Sequence, residues 1–178
     1  MRKLILGITM ALAAVSAQAG EATARSYGLG SHGKFEMNMP ASWQDEVAQK
    51  RDDYPPTITF SPTSGADFRV LVTPIWPARP DMKAPTPEVL KRIATMTAER
   101  IAPQSVEKKL TLKQLKGGAN TGYYYTATDP APKPGEYKLL NQGVISVGEL
   151  VVRFTILTND GQDDIVKRAL EMLAAARH

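Results

Sequence analysis

Residues 150–158, LVVRFTILT, are the most informative segment for the fold. In an extended chain, Val152 and its even-numbered neighbours form one apolar face, and Val151 and Leu157 lie on the other. A strand that is apolar on both faces is covered by other elements on both faces. Residues 68–75, FRVLVTPI, have the same two-sided pattern. The two segments therefore predict the centre of a sheet between covering layers.

Two amphipathic helices can supply those layers. Thr86 and Pro87 are typical of a helix start, with threonine as the N-cap and proline at the first helical position. An apolar stripe of helical period follows them as far as Pro103, which ends the helix. A second stripe covers about residues 160–177 and has Asp163 in its first turn, where negative charge complements the helix dipole. The pattern predicts a helix on each face of the sheet.

Shorter runs with period-two alternation complete the sheet. They predict further strands at residues 34–39, 46–50, 57–60, 109–113, 121–128 and 137–147. Turns are expected at Gly117-Gly118 and Gly148-Glu149, and residues 20–32 read as a loose lead-in. Because hairpin-length links join antiparallel strands, we predict an α+β fold. Its mostly antiparallel sheet has about seven strands flanked by helices, in a three-layer α/β/α sandwich.

Composition excludes several classes of function. The chain has 178 residues and no cysteine, which rules out thiol catalysis and thiolate metal sites. Lys and Arg total 22 against 18 Asp and Glu, and no run of basic residues provides a nucleic-acid footprint. The sequence indicates one domain over residues 20–178, with no nucleic-acid partner and no cofactor.

The first residues have the pattern of an export signal. Arg2 and Lys3 form a basic head, an uncharged apolar run covers residues 4–15, and Ala17-Gln18-Ala19 offers a cleavage site before Gly20. The apolar run is too short to span a bilayer comfortably. We therefore predict that residues 1–19 are a cleaved signal peptide. The mature protein is expected to have no membrane span and to be secreted across the inner membrane, to the periplasm.

The layout resembles the PsbP-like superfamily, which includes DcrB-like periplasmic proteins. Three features carry the resemblance: a strand at residues 35–39 leading into Pro40-x-x-Trp43, a strand-rich block before the helix at 86–102, and a final strand and helix pair. The resemblance covers nearly the whole mature chain. It implies an α/β/α sandwich that acts as a binding or accessory module without catalysis.

No combination of residues selects an active site. The chain has only two histidines. His32 lies in a glycine-rich loop beside Ser31, a poor geometry for a catalytic triad, and it reads as an exposed loop residue. One internal histidine without cysteine does not make a zinc site. Asp52 and Asp53 are adjacent in a turn, and no pair of carboxylates stands out as a glycosidase pair. We expect no catalytic residue and no metal.

Aromatic residues are the better candidates for contact with a partner, because Tyr and Trp are enriched in binding surfaces. Trp43 reads as part of the core. Trp76 opens the proline-rich loop at 77–87, and Tyr124 and Tyr137 lie in or near strands. We predict Trp76, Tyr124 and Tyr137 as binding residues.

The function predicted from sequence is that of a secreted, periplasmic, non-enzymatic binding or accessory protein. Its partner would be a periplasmic protein or a small apolar ligand. Two alternatives stay open: a carboxylate-dependent periplasmic hydrolase, and a carrier of a small apolar molecule. A deep cleft with two facing carboxylates would favour the hydrolase, and an enclosed apolar cavity would favour the carrier.

Overall fold

The computed structural model describes residues 22–51, 53–79, 81–115 and 120–178. The predicted signal peptide, Asp52 and the predicted Gly117-Gly118 turn lie outside the described residues.

The elements follow one another in the order β1 Ala22–Gly28, β2 Lys34–Pro40, β3 Trp43–Ala48, β4 Thr57–Pro62, β5 Arg69–Ile75, α1 Pro87–Ile101, β6 Lys113–Leu115, β7 Gly122–Thr128, β8 Leu139–Val147, β9 Leu150–Thr158 and α2 Asp163–Ala174. Strands β3 to β9 form a seven-stranded sheet in the order β3-β4-β5-β9-β8-β7-β6, and β1 and β2 form a separate two-stranded sheet. Every strand pair is antiparallel. The prediction of an α+β fold with a mostly antiparallel seven-stranded sheet is confirmed.

Strand β9 lies at the centre of the large sheet, between β5 and β8, as its two-sided apolar pattern predicts. On one face, Val152, Phe154 and Ile156 belong to the main core. This core also includes residues from β2 and from α2: Phe35, Met37, Met39, Ala169, Met172 and Leu173. We call this the α2 face of the sheet.

The other face of the sheet, which we call the α1 face, packs against α1. Leu90 and Ala94 of α1 form a cluster with Val144 of β8, and Ala98 forms a second cluster with Tyr125 of β7. Because α1 contacts β7 and β8, the α1 face of β5 and β9 is left half-open beside the helix.

The lead-in predicted for residues 20–32 is wrong at its start. Strand β1 occupies Ala22–Gly28 and pairs with β2 along its full length, from Ala22 opposite Pro40 to Gly28 opposite Lys34. Tyr27 is the only buried residue of this strand. The sequence of β1 therefore lacks the alternating apolar pattern from which a strand is predicted. The strand predicted first, at 34–39, consequently belongs to the small sheet and not to the large one.

Two other boundaries differ from the prediction because of tertiary contacts. Leu110 and Leu112 alternate as in a strand, but they pack under α1, and strand β6 begins only at Lys113. Helix α2 ends at Ala174, earlier than predicted, because Arg177 pairs with β2: its backbone N–H and C=O bond Glu36 at 2.9 Å in both directions. The final residues thus extend the small sheet.

The α1 helix starts and ends as predicted. The Thr86 side chain accepts a hydrogen bond from the Val89 backbone N–H, Pro87 is the first helical residue, and Pro103 lies in the short 3₁₀ turn that follows. Trp43 is buried and packs against Phe68 with ring centroids 4.7 Å apart, which confirms its place in the core. Neither α1 nor α2 has the length and apolar composition that a membrane-crossing helix needs.

Glu107, in the segment after α1, forms hydrogen bonds with Thr128 at the end of β7. This contact should make the stability of the protein depend on pH. The Glu107 carboxylate accepts hydrogen bonds from the Thr128 hydroxyl at 2.6 Å and backbone N–H at 3.0 Å. Burial alone would raise the Glu107 pKa, but these hydrogen bonds outweigh it and lower the pKa. A lowered folded-state pKa stabilises the protein above the unfolded pKa, and the gain is lost as the pH falls through the folded pKa.

We expect Glu107→Gln to be less stable than the wild type at neutral pH, and the difference to shrink below about pH 4, where the unfolded-state glutamate is protonated. Glu107 is exposed, so the effect should stay under about 1 kcal/mol. Urea denaturation at several pH values measures it. The same substitution at exposed Glu149 serves as the control, and an equal loss of stability at every pH would contradict the role given to Glu107.

Candidate functional site

The candidate site is a groove on the α2 face of the sheet, which we call the α2 groove. It has a volume of about 700 Å³. It exists because α2 contacts β9 and β8, so that the outer strands β7 and β6 extend beyond the helix. The residues that line the groove and carry its chemistry are Lys113, Tyr124, Thr126, Asn141, Val166 and Leu170. Its volume is in the range of small-molecule sites.

The floor of the α2 groove consists of side chains that strand pairing brings together. Lys113 pairs with Tyr124, and Thr126 pairs with Asn141. Directly opposite residues in antiparallel strands are on the same face, with Cβ atoms about 5 Å apart. Because Tyr124 and Thr126 are two residues apart on β7, they also face the same side. Four polar or amphipathic side chains therefore share one patch of an otherwise apolar face.

A directed chain of hydrogen bonds runs across this patch. The Lys113 Nζ donates to Thr126 Oγ1 at 3.3 Å, and Thr126 Oγ1 donates to Asn141 Oδ1 at 2.7 Å. An ammonium group can only donate, so Thr126 Oγ1 accepts from Lys113, and its own O–H donates to the Asn141 oxygen. In this arrangement the Asn141 Nδ2 does not take part in the chain.

Asn141 is the unusual residue of the groove. It is only 4% exposed as a residue and lines the groove, and no described residue accepts a hydrogen bond from its Nδ2. Among the described residues, the fully buried side-chain N or O atom that lacks a partner is Thr158 Oγ1, so the Asn141 Nδ2 is not sealed from its surroundings. Because Asn141 lines the groove, a ligand there can accept the hydrogen bond that Nδ2 has to donate.

Tyr124 adds a second donor. Burial raises the pKa of its hydroxyl, which therefore stays protonated at neutral pH. Its ring lies 5.8 Å from the Lys113 Nζ and 6.5 Å from the Phe154 ring centroid. The residue opposite Tyr124 on β8 is Gly143. A Cβ at position 143 would lie 2.6 Å from the Tyr124 Cβ, so the glycine leaves room for the tyrosine side chain on the floor of the groove.

Helix α2 forms the apolar wall of the groove. Its inward-facing residues Val166, Leu170 and Ala174 recur at helical spacing and line the cavity. The exposed Lys167 and Glu171 stand on the rim. A site with an apolar wall and donors converging at its floor suits a molecule with an apolar body and a group that accepts hydrogen bonds.

The structure does not bring the three predicted binding residues together. Tyr124 lies in the α2 groove. Trp76 follows the end of β5 and stacks on His32, with ring centroids 4.4 Å apart and the planes 11° from parallel. The Tyr137 hydroxyl donates to Asp67 at 2.5 Å, just before the start of β5. Trp76 and Tyr137 therefore lie at opposite ends of the sheet.

The other residues considered as sites, His32 and Asp53, are exposed and make common surface contacts. His32 is exposed, and its carbonyl oxygen lies 2.8 Å from the His178 ring Nε2. Asp53 forms an exposed salt bridge with Arg51 at 3.0 Å. Within the part of the chain that the structure describes, no group of three or more His, Cys, Asp or Glu residues is placed to hold a metal ion.

Sequence reasoning missed Lys113, Thr126 and Asn141. One signal was present: Asn141 is a polar residue inside a strand whose neighbours on the same face, Leu139 and Ile145, are apolar. The contact between these three side chains could not be predicted from sequence, because it depends on the register of β6 with β7 and of β7 with β8.

Comparison with known proteins gives little further information. No protein family and no curated protein matches the sequence. A crystal structure from Bacteroides thetaiotaomicron is similar over 80% of this chain, with 16% sequence identity and a TM-score of 0.46. The match spans 44% of that structure's chain, so this chain corresponds to less than half of it.

Proposed function

We propose that this protein is a non-enzymatic binding protein whose α2 groove holds a ligand with an apolar body and a head group that accepts hydrogen bonds. The observation that carries the proposal is a groove of about 700 Å³ in which side-chain donors, among them the Asn141 Nδ2 with no acceptor in the described residues, lie on the floor opposite an apolar helix wall. The donors at the floor, Lys113, Tyr124 and Asn141, favour a carboxylate head. The apolar side chains of α2 favour a hydrocarbon body.

The proposal includes a setting and an architecture. The export signal at residues 1–19 supports secretion to the periplasm. The packing of α1 on one face and α2 on the other supports a three-layer α/β/α sandwich of the PsbP-like type, in which the β1–β2 hairpin shares the layer of α2. On this proposal the ligand site lies between the α2 layer and the sheet.

The two alternatives have different support. A carrier of a small apolar molecule would use the same groove, and it differs from our proposal only in delivering its ligand elsewhere. A carboxylate-dependent hydrolase is less well supported. The acidic residues lining the α2 groove, Asp163 and Glu171, are eight residues apart on one helix, or about 12 Å along its axis. A glycosidase pair is about 5–10 Å apart.

Two amphiphiles with matched tails test the proposal. Laurate has a twelve-carbon tail and a carboxylate, whereas dodecyltrimethylammonium has the same tail and no hydrogen-bond acceptor. We expect isothermal titration calorimetry, below the critical micelle concentrations, to show tight binding of laurate and much weaker binding of the ammonium amphiphile. Equal affinity for the two amphiphiles, or no binding of laurate, would refute the proposal.

Lys113→Met should lower the affinity for laurate about tenfold, the loss of one charge-assisted hydrogen bond. The variant keeps the length of the side chain, and Lys113 is exposed, so stability should change little. Lys91→Met, at an exposed position of α1, removes the same charge away from the groove and is the matched control. The role of Lys113 is disproved when both variants bind laurate equally.

A further inference from the structure

The α1 face has its own groove, which we call the α1 groove, between α1 and strands β5, β9 and β8. Its volume is about 240 Å³, which is room for a small anion with its water. It lies on the opposite face of the sheet from the α2 groove, because Arg153 and Thr155 alternate with Val152 and Phe154 along β9.

Arg153 is the central residue of the α1 groove. It is exposed, lies in the middle of the central strand, and is paired with Thr73 on one side and Val144 on the other. Among the described residues no carboxylate forms a salt bridge with it. A permanently charged guanidinium placed at the centre of a sheet, without an ion-pair partner, is a ready site for an anion.

Hydroxyl groups around Arg153 are left with protons to donate. The Tyr125 hydroxyl donates to Gln142 Oε1 at 2.5 Å, and Gln142 Nε2 donates to Thr155 Oγ1 at 3.1 Å. Because Thr155 Oγ1 accepts at the end of this chain, its own O–H remains to donate, and it has no acceptor in the described residues. Thr155 and Arg153 are two residues apart on one face, at about 7 Å.

Thr73, opposite Arg153, belongs to a second hydroxyl pair. Its Oγ1 lies 3.0 Å from the Oγ1 of Thr57 on β4. One hydroxyl of the pair donates to the other, so one proton again remains for an outside acceptor. The donors of Thr57, Thr73, Arg153 and Thr155 thus surround one part of the groove.

The electrostatics of the α1 groove also favour negative charge. No lining residue in the described chain is acidic. Glu46 shares the α1 face but lies on β3, three strands from β9, or about 14 Å away. Burial raises the pKa of Tyr125 to about 12, and the positive charges of Arg100 and Arg153 oppose that rise. Two cations therefore act on the same part of the groove.

We propose that the α1 groove binds a small oxyanion, a carboxylate or a phosphate, with Arg153 as the bidentate anchor and the Thr155 and Thr73 hydroxyls as additional donors. This site is separate from the α2 groove. Its occupation does not depend on the ligand proposed there.

Titration of the purified protein with sodium phosphate and with sodium acetate, followed by ¹H–¹⁵N NMR at constant ionic strength, tests the proposal. We expect saturable shifts in the amides of β5 and β9 with at least one of the two anions, and the preferred anion identifies its chemistry. Constant ionic strength removes general screening as a cause. Shifts no larger than those with sodium chloride for both anions would overturn the proposal.

Variants give a second, independent result. Arg153→Gln should weaken binding at least about tenfold, because it removes charge-assisted hydrogen bonds, and Arg153→Lys should have an intermediate affinity, because it keeps the charge without the fork. Arg168→Gln, an exposed arginine of α2, is the charge-matched control. Unchanged anion affinity in a folded Arg153→Gln or Arg153→Lys variant would overturn the assignment. Laurate also carries a carboxylate, so Lys113→Met assigns its tight binding to the α2 groove: that variant should lower the tight laurate affinity, and the three variants at Arg153 and Arg168 should not. The two proposals therefore fail separately.

Discussion

Replacing Gly143 with alanine should lower the free energy of unfolding by about 3 kcal/mol, the upper end of the usual cost of overpacking. A Cβ at this position would lie 2.4 Å from the Tyr123 carbonyl oxygen and 2.6 Å from both the Phe154 Cζ and the Tyr124 Cβ. These neighbours cannot easily move, since the carbonyl belongs to the sheet backbone and Phe154 is buried. We expect the melting temperature to fall by roughly 6–12 °C.

Gly28→Ala is the matched control. Gly28 is also a strand glycine, and a Cβ there would meet nothing within 4 Å. Its stability should stay within about 0.5 kcal/mol of the wild type. Gly143→Ala should also weaken laurate binding, because the clash displaces Tyr124 on the floor of the α2 groove. Equal stability of the two variants in guanidinium denaturation would show that the Gly143 backbone relaxes freely, contrary to our expectation.

Phe154→Ala should cost about 3–5 kcal/mol, as is usual when a buried phenylalanine is truncated. Phe154 is 2% exposed, lies on the central strand and belongs to the main core. Removing its ring leaves a cavity that the rigid sheet cannot close. Denaturant unfolding measures the loss. Phe154→Leu keeps most of the volume and should cost under about 1.5 kcal/mol, and a similar loss in both variants would argue against a cavity as the cause.

The double variant Gly143→Ala/Phe154→Ala shows whether the two residues are coupled. The new Cβ at position 143 clashes with the very ring that Phe154→Ala removes. The combined loss should therefore be smaller than the sum of the single losses, by about 0.5–3 kcal/mol, as for residues in contact. Strict additivity would show that the cost of Gly143→Ala comes from the contacts with Tyr123 and Tyr124 and not from the contact with the Phe154 ring.

Sequence patterns predicted the parts of this fold that depend on burial. The two-sided apolar pattern of β9 and β5 identified the centre of the sheet, because a strand with two apolar faces is stable only when it is covered on both. The start of α1 was predictable from Thr86 and Pro87, since capping depends on neighbouring residues alone. Both features can be predicted without knowing which distant segments of the chain are in contact.

The predictions that failed depend on contacts between distant segments. Strand β1 has a single buried residue, and pairing with β2 forms it. Leu110 and Leu112 mimic a strand but pack under a helix, because an apolar residue can be buried by either. The positions of the predicted binding residues depend on such contacts too: Tyr124 lies in the α2 groove, and Trp76 and Tyr137 lie at opposite ends of the sheet. Their role in binding stays a prediction.

By itself, the amino-acid sequence determined the α+β class, the central strands, the helix that starts at Thr86 and the absence of thiol chemistry, because these follow from residue type and local periodicity. The places where polar groups meet depend on tertiary contacts. The hydrogen bonds from Lys113 to Thr126 and from Thr126 to Asn141 join three strands. Arg153 of β9 lies opposite Thr73 of β5, whose hydroxyl contacts that of Thr57 on β4. Strand register sets those encounters, and register depends on the packing of the whole sheet.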